Sequence, residues 1–197
     1  MAKSPVPDMK EISEILADIR RDDVRASEVI GRLRSMLKRT PFKLKNVDLN
    51  DVARDTMQFL SALAIAREID LSSVIAPMPL PIKGDFIQLQ QVIVNLIVNA
   101  MDAMSNMSGS ERYITLSTAR DGDTADLSVS DVGLGIPVEM LKEIFEPFFT
   151  TKPQGMGMGL SIAPTIVEAH GGRLSAQNQA GRGALFRIRL PLTPKPQ

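Results

Sequence analysis

The segment Gln91-Val-Ile-Val-Asn-Leu-Ile-Val-Asn-Ala-Met-Asp-Ala-Met104 sets Asn95, Asn99 and Asp102 into an otherwise apolar stretch. At about 100° per residue, positions i, i+4 and i+7 share one face of a helix. Leu89, Val92, Ile93, Leu96, Ile97, Ala100 and Met104 fill the rest of that helix. It must pack into a core, and it takes two amides and a carboxylate with it. Burying those groups costs on the order of several kcal/mol unless partners satisfy them. A nucleotide with a hydrated metal ion supplies partners of that chemistry. The stripe therefore calls for the remaining parts of such a site elsewhere in the chain.

The sequence of 197 residues has room for one domain with an extension, or for two small domains. Its 23 basic and 23 acidic side chains cancel, so no net charge drives binding to nucleic acid or anionic lipid. Cysteine is absent, which excludes disulfides and thiol chemistry and fits a reducing compartment. No apolar run reaches the roughly 18 residues of a transmembrane helix, and no signal peptide is visible. A cytoplasmic location is expected, with no membrane segment and no nucleic-acid partner.

Two domains are expected, 1–40 and 41–197. In the first, Met9, Ile12, Leu16, Ile19, Ala26, Ile30, Leu33 and Leu37 form a heptad seam interrupted at Asp23. That is the period of a coiled coil or four-helix bundle. Ile15, Val29 and Met36 widen it toward a bundle. A helix of about 30 residues spans about 45 Å, longer than packing on a small domain needs. Self-association through residues 9–39 is the expected outcome, because exposed seam residues gain roughly 1.5–3 kcal/mol each on burial.

The second region reads as an α/β domain. Asp48 or Asn50 can cap a helix to about Arg67; residues 69–76 are β-like, and Pro77–Pro81 connects them to the striped helix, capped by Asp85. Residues 113–119 and 126–130 alternate as strands around Asp121-Gly122-Asp123. Pro137 opens a short helix to about Ile144, residues 146–159 form a glycine-rich loop, and residues 160–169 form a helix stopped by Gly171-Gly172. Two final strands, 173–178 and 185–190, flank a turn at Gly181-Arg-Gly183.

Three further motifs carry chemistry. Asp131-Val-Gly-Leu-Gly-Ile136 follows a strand; its glycines permit close backbone approach, and a strand-end carboxylate can accept from an exocyclic amine. It equally suits a plain strand-to-helix turn. Gly155-Met-Gly-Met-Gly159 leads into a helix, an arrangement whose backbone N–H groups hold phosphate oxygens or whose mobility serves a lid. It is neither a P-loop nor a dinucleotide fingerprint. Phe145-Glu-Pro-Phe-Phe-Thr-Thr-Lys152 concentrates aromatics in an aromatic-poor chain, as core anchors or as a handle for a partner domain, with Lys152 in reach of phosphates.

In this order and spacing the motifs resemble the N, G1, F and G2 boxes of sensor histidine kinases, within the fold shared with DNA gyrase, a heat-shock chaperone and the mismatch-repair ATPases. The resemblance runs from about Asp48 to Leu190. It implies an α+β fold: a two-layer sandwich with a mixed sheet covered on one face by helices, preceded by a long bundle helix. Residues 9–39 look like the second helix of the kinase dimerisation hairpin.

The resemblance further implies ATP and Mg²⁺ as cofactors. Asn95 would coordinate the metal; Asn99 would lie near phosphates and ribose, and Asp102 would close the box toward the nucleotide. Asp131 would accept from the adenine amine, with Gly133, Gly135 and Ile136 shaping the ring's slot. Phe148, Thr151, Lys152, Gly155, Gly157, Gly159 and Leu160 would surround the phosphates and lid. Many relatives carry glutamate where this chain has Gln91, which cannot take a proton at neutral pH. Gln91 is thus a candidate catalytic residue that orients rather than deprotonates. His170, the one histidine, falls at a position that is not the family's acceptor, and reads as a helix C-terminal residue facing the dipole.

The expected function is the ATP-Mg²⁺-binding catalytic portion of a two-component protein histidine kinase. It would begin after the acceptor helix and would not autophosphorylate alone. Expected partners are the phosphoacceptor helix and a cognate response regulator. The alternatives are an ATP-binding regulatory module without kinase activity, a gyrase- or mismatch-repair-type ATPase, and a serine kinase of the anti-sigma-factor type. Gln91 disfavours the ATPase and the heptad helix disfavours the serine kinase.

Overall fold

The computed structural model describes residues 44–107, 111–150 and 159–194. The heptad segment, residues 9–39, and its expected self-association lie outside them. Strand β1, Lys45–Asp48, runs into helix α1, Leu49–Ala66. Of the two cap candidates Asp48 is the cap: its Oδ1 accepts from Asn50 N at 2.9 Å and from Leu80 N at 3.0 Å.

Asn50 is instead buried in a polar knot. Its Nδ2 donates to the carbonyls of Ala76 at 3.2 Å and Met78 at 2.9 Å. Its Oδ1 accepts from the Thr118 hydroxyl at 2.7 Å, whose oxygen in turn accepts from Ala76 N at 2.8 Å. The knot pins the proline-rich connector between β2, Asp70–Val74, and β3, Pro81–Gly84. β3 pairs antiparallel with β1, Lys45 opposite Gly84. Neither β1 nor β3 is expected from sequence: four residues are too few for a period-two pattern, and Pro81 reads as loop. At a strand's first position a proline forfeits no ladder bond.

Helix α2, Phe86–Ala103, begins where Asp85 Oδ1 accepts from Ile87 N at 3.1 Å and Gln88 N at 3.3 Å. It buries Leu89, Val92, Ile93, Leu96, Ile97, Ala100 and Met101, while Asn95, Asn99 and Asp102 stay half-buried along one side. β4, Tyr113–Asp121, and β5, Thr124–Asp131, form the hairpin expected at Gly122. Helix α3, Gly159–Ala169, is followed by β6, Arg173–Asn178, and β7, Ala184–Pro191.

The main sheet has the order β2-β4-β5-β7-β6; β2 is parallel to β4, and the other pairs are antiparallel. Alternate residues of β4, β5 and β7 are buried on one face, including Ile114, Leu116, Leu127, Val129, Phe186 and Ile188. α2 packs between α1 and α3 and against β4 and β5. This is the two-layer sandwich that the motif order implies. One expected element is shorter: after Pro137 only a 3₁₀ turn, Val138–Met140, forms. Successive turns then carry the chain to Ile144 and Phe145, which face the core while Lys142, Glu143 and Glu146 face water. No helix among the described residues is long and apolar enough to cross a membrane.

Candidate functional site

β5 delivers Asp131 at its end, where the carboxylate is only 3% exposed. Its Oδ1 accepts from Gly133 N at 2.8 Å and from Ala184 N at 3.3 Å. Both bonds fall on one oxygen; among the described residues Oδ2 makes none and is the acceptor left to present. Burial raises the carboxyl pKa above its ordinary value, and the two backbone bonds pull it partly back. Gly133 suits close packing: a Cβ there would stand 3.0 Å from both Ala103 Cβ and Asp131 Oδ1. The C-terminal turn of α2 and the Asp131 loop are thereby held in contact.

At the other end of the site, the Asn95 carboxamide donates to the carbonyl of Gly159, the first residue of α3. A Cβ on Gly159 would lie 3.0 Å from Asn95 Oδ1, so the glycine lets the two backbones close up. Helix α3 points its N-terminus, with Leu160 half-buried behind Gly159, at this junction. The free N–H groups and positive dipole end of a helix favour an anion there. Thr151, Lys152, Gly155 and Gly157 lie outside the described residues.

The rest of the stripe divides. Gln91 is exposed one turn before Asn95. Asn99 is half-buried and partnered. Asp102 Oδ1 accepts from Arg67 Nη1 at 2.7 Å, with the two side chains 32% and 39% exposed. Exposed pairs of this kind contribute about 1 kcal/mol or less, so Arg67 orients Asp102 more than it stabilises the fold. Arg67 was not singled out in the sequence, because a pairing across 35 residues leaves no local signal.

The aromatic box also divides. Phe145 packs edge-on against Phe186, with centroids 6.4 Å apart at 85°, and Phe149 is half-buried against the core. Phe148 is 73% exposed with a φ of 68°.

His170 stands at the C-terminal end of α3, as the sequence suggests, and its ring faces one of the helix's last carbonyls. It is 4% exposed; its Nδ1 pairs with the carbonyl of Ile166 at 2.7 Å, and Nε2 accepts from Asp85 N at 2.9 Å. Those partners require one proton, on Nδ1. The ring is a staple between α3 and the cap of α2. His170→Ala should cost about 2–3 kcal/mol, since Asp85 N–H loses its acceptor inside the fold. A thermal melt should show it as a drop on the order of 10 °C.

A site for a metal can be tested against the donors present. Asn95 contributes one hard carboxamide oxygen beside the N-terminus of α3. Among the described residues no group of three His, Cys, Asp or Glu side chains could hold a metal. One protein oxygen completed by phosphates and water is the coordination Mg²⁺ favours, and these residues fit it.

Residues 84–194 match the family described as histidine kinase-, DNA gyrase B-, and HSP90-like ATPase. The chain is 38% identical over 190 residues to the sensor histidine kinase TmoS of Ectopseudomonas mendocina, covering 95% of this chain and 19% of that protein. The catalytic domain of histidine kinase ThkA superposes with a TM-score of 0.68 at 30% identity, covering 78% of this chain and 98% of that one. A structure of ThkA in complex with the response regulator TrrA shares the fold, with a TM-score of 0.78 at 24% identity over 98% of this chain and 55% of that one. The chain spans 19% of the length of TmoS and 43% of that of sporulation kinase C of Bacillus subtilis.

Proposed function

The chain belongs to the histidine kinase-, DNA gyrase B- and HSP90-like ATPase family, and from that premise we propose that it is the ATP-binding catalytic portion of a two-component sensor histidine kinase. The observation that carries the reading is the junction of Asn95 with Gly159. It sets the polar stripe of α2 against the N-terminus of the helix that follows the glycine-rich loop.

In this reading Asp131 Oδ2 accepts from the adenine amine, and Gly133 keeps the loop low enough for a flat ring. Asn99 faces the ribose and phosphates, and Asp102, steered by Arg67, closes the purine end of the box. The α3 N-terminus, with Leu160 behind it, receives phosphate oxygens. Gly155, Gly157, Thr151, Lys152 and Phe148 belong to the lid side of the same site. Mg²⁺, held by Asn95 Oδ1, would neutralise charge on the phosphates. Gln91, exposed at the phosphate end, orients the acceptor imidazole without taking its proton. Positioning and charge neutralisation are then the protein's share of phosphoryl transfer.

The phosphate goes to a histidine on a separate phosphoacceptor helix, since His170 is buried with both ring nitrogens engaged. Residues 1–40 form the partner half of that helix's hairpin and self-associate, and 41–197 form the catalytic domain. A response regulator receives the phosphate downstream, in the cytoplasm. The test supplies an acceptor-helix fragment in trans with γ-labelled ATP. Acid-labile label on the fragment, lost with Asn95→Ala, is the expected result. ATP binding without transfer would leave a regulatory module, and label on His170 would overturn the acceptor assignment.

A further inference from the structure

We propose that Asn178 is a positioning residue for the purine slot, acting through the loop that follows Asp131; this rests on the reading of Asp131 as the adenine acceptor. β6 ends at Asn178, and its carboxamide pairs reciprocally with one backbone unit of the loop. Nδ2 donates to the carbonyl of Ile136 at 2.6 Å, and Oδ1 accepts from Ile136 N at 2.8 Å. The next residue, Gln179, holds the loop's other end: its Nε2 donates to the carbonyl of Asp131 at 2.7 Å. The last residue of β6 and the one after it therefore grip both ends of residues 131–136.

The loop has little of its own to hold it. Among the described residues, 132–136 make no backbone-to-backbone hydrogen bond with one another. Leu134 at its centre is 79% exposed. Gly135 has a φ of 74°, and a Cβ there would stand 3.0 Å from Asn178 Oδ1, so the loop is shaped to receive this side chain. A carboxamide is the side-chain group that donates and accepts side by side, as one peptide unit requires.

The brace sets the loop before a ligand arrives, and preorganisation of this kind lowers the ordering cost of binding. It also holds Oδ2 of Asp131 in register with the edge of the ring. An adenine amine meets an acceptor there, whereas the guanine carbonyl meets like polarity. Without the brace the loop orders only on binding, and the match to adenine loosens.

The experiment measures, by calorimetry on the full chain, affinity for non-hydrolysable analogues of ATP and GTP. It compares wild type, Asn178→Ala, Asn178→Asp and Asp131→Asn. Asn178→Ala should weaken the ATP analogue about tenfold, from the loss of two hydrogen bonds, and narrow the ATP-to-GTP ratio with it. Asn178→Asp keeps the acceptor for Ile136 N–H and should fall between the two. Amide exchange should speed up at residues 132–136 and stay unchanged in β5 and β7. An unchanged ATP affinity in Asn178→Ala, or equal losses for both nucleotides, overturns the proposal. Asp131→Asn separates the layers. If it collapses the ratio while Asn178→Ala does not, the brace alone is wrong. If it leaves the ratio intact, the adenine reading falls and the brace falls with it.

Discussion

Asn95→Ala should remove magnesium-dependent ATP binding and reduce phosphotransfer to a supplied acceptor helix by a hundredfold or more, on the order of what one lost charge-stabilising contact costs. The cause is specific. The side chain joins α2 to the first residue of α3, and in the proposed site its oxygen is the hard donor beside the phosphates. Truncation removes that donor and frees the N-terminus of α3. The fold should survive, because one half-buried hydrogen bond contributes about 1 kcal/mol, a melting shift of about 2–4 °C. Calorimetric titration of ATP with and without magnesium checks this. Equal ATP affinity in variant and wild type under both conditions would remove Asn95 from the site.

Asp131→Asn should separate binding from stability. The asparagine Oδ1 can keep the hydrogen bonds from Gly133 and Ala184, while the position of Oδ2 becomes an NH₂ donor facing the adenine amine. A lost acceptor with opposed donors should weaken ATP by about a hundredfold. Stability should move the other way. The folded pKa of Asp131 is raised by burial, so its favourable contribution is full below the unfolded value and lost as pH rises through the folded one. At neutral pH the charged carboxylate is therefore a cost that asparagine lacks, and the variant should melt at the same temperature or higher. In the wild type, ATP affinity should fall as pH drops through the raised pKa of Asp131, because the protonated group accepts less well. Melts and titrations across that window decide it. A variant that unfolds at neutral pH would mean the carboxylate's charge holds the loop together.

Much of this was legible before any fold. The steps of Leu89, Val92, Ile93, Leu96 and Ile97 already define the buried face of α2, and Asp85 its cap, because both signals are local to one helix. The β4–β5 hairpin reads from alternation around Gly122 for the same reason. The Asp131 and Gly159 motifs were visible but separately ambiguous. Each has an ordinary turn or loop that would look alike.

Other features left no trace in the chain's local pattern. β1 and β3 exist because each completes the other's ladder. Asn50 could be taken for a cap, since a carboxamide suits a helix start and a buried connector equally well. His170 lacked its partner, as Asp85 lies 85 residues away. Asn178 reads as the last residue of a strand, yet with Gln179 it holds the loop that follows Asp131.

The sequence by itself determined the buried face of α2, its cap and the β4–β5 hairpin, for hydrophobic period and capping act within a few residues of chain. The tertiary structure alone decided which of those groups meet. Asn95 touches Gly159 across 64 residues, and Asp131 takes its second backbone donor from Ala184 across 53. Such contacts are set by sheet order and helix packing. No property of either partner's neighbours in the chain encodes them.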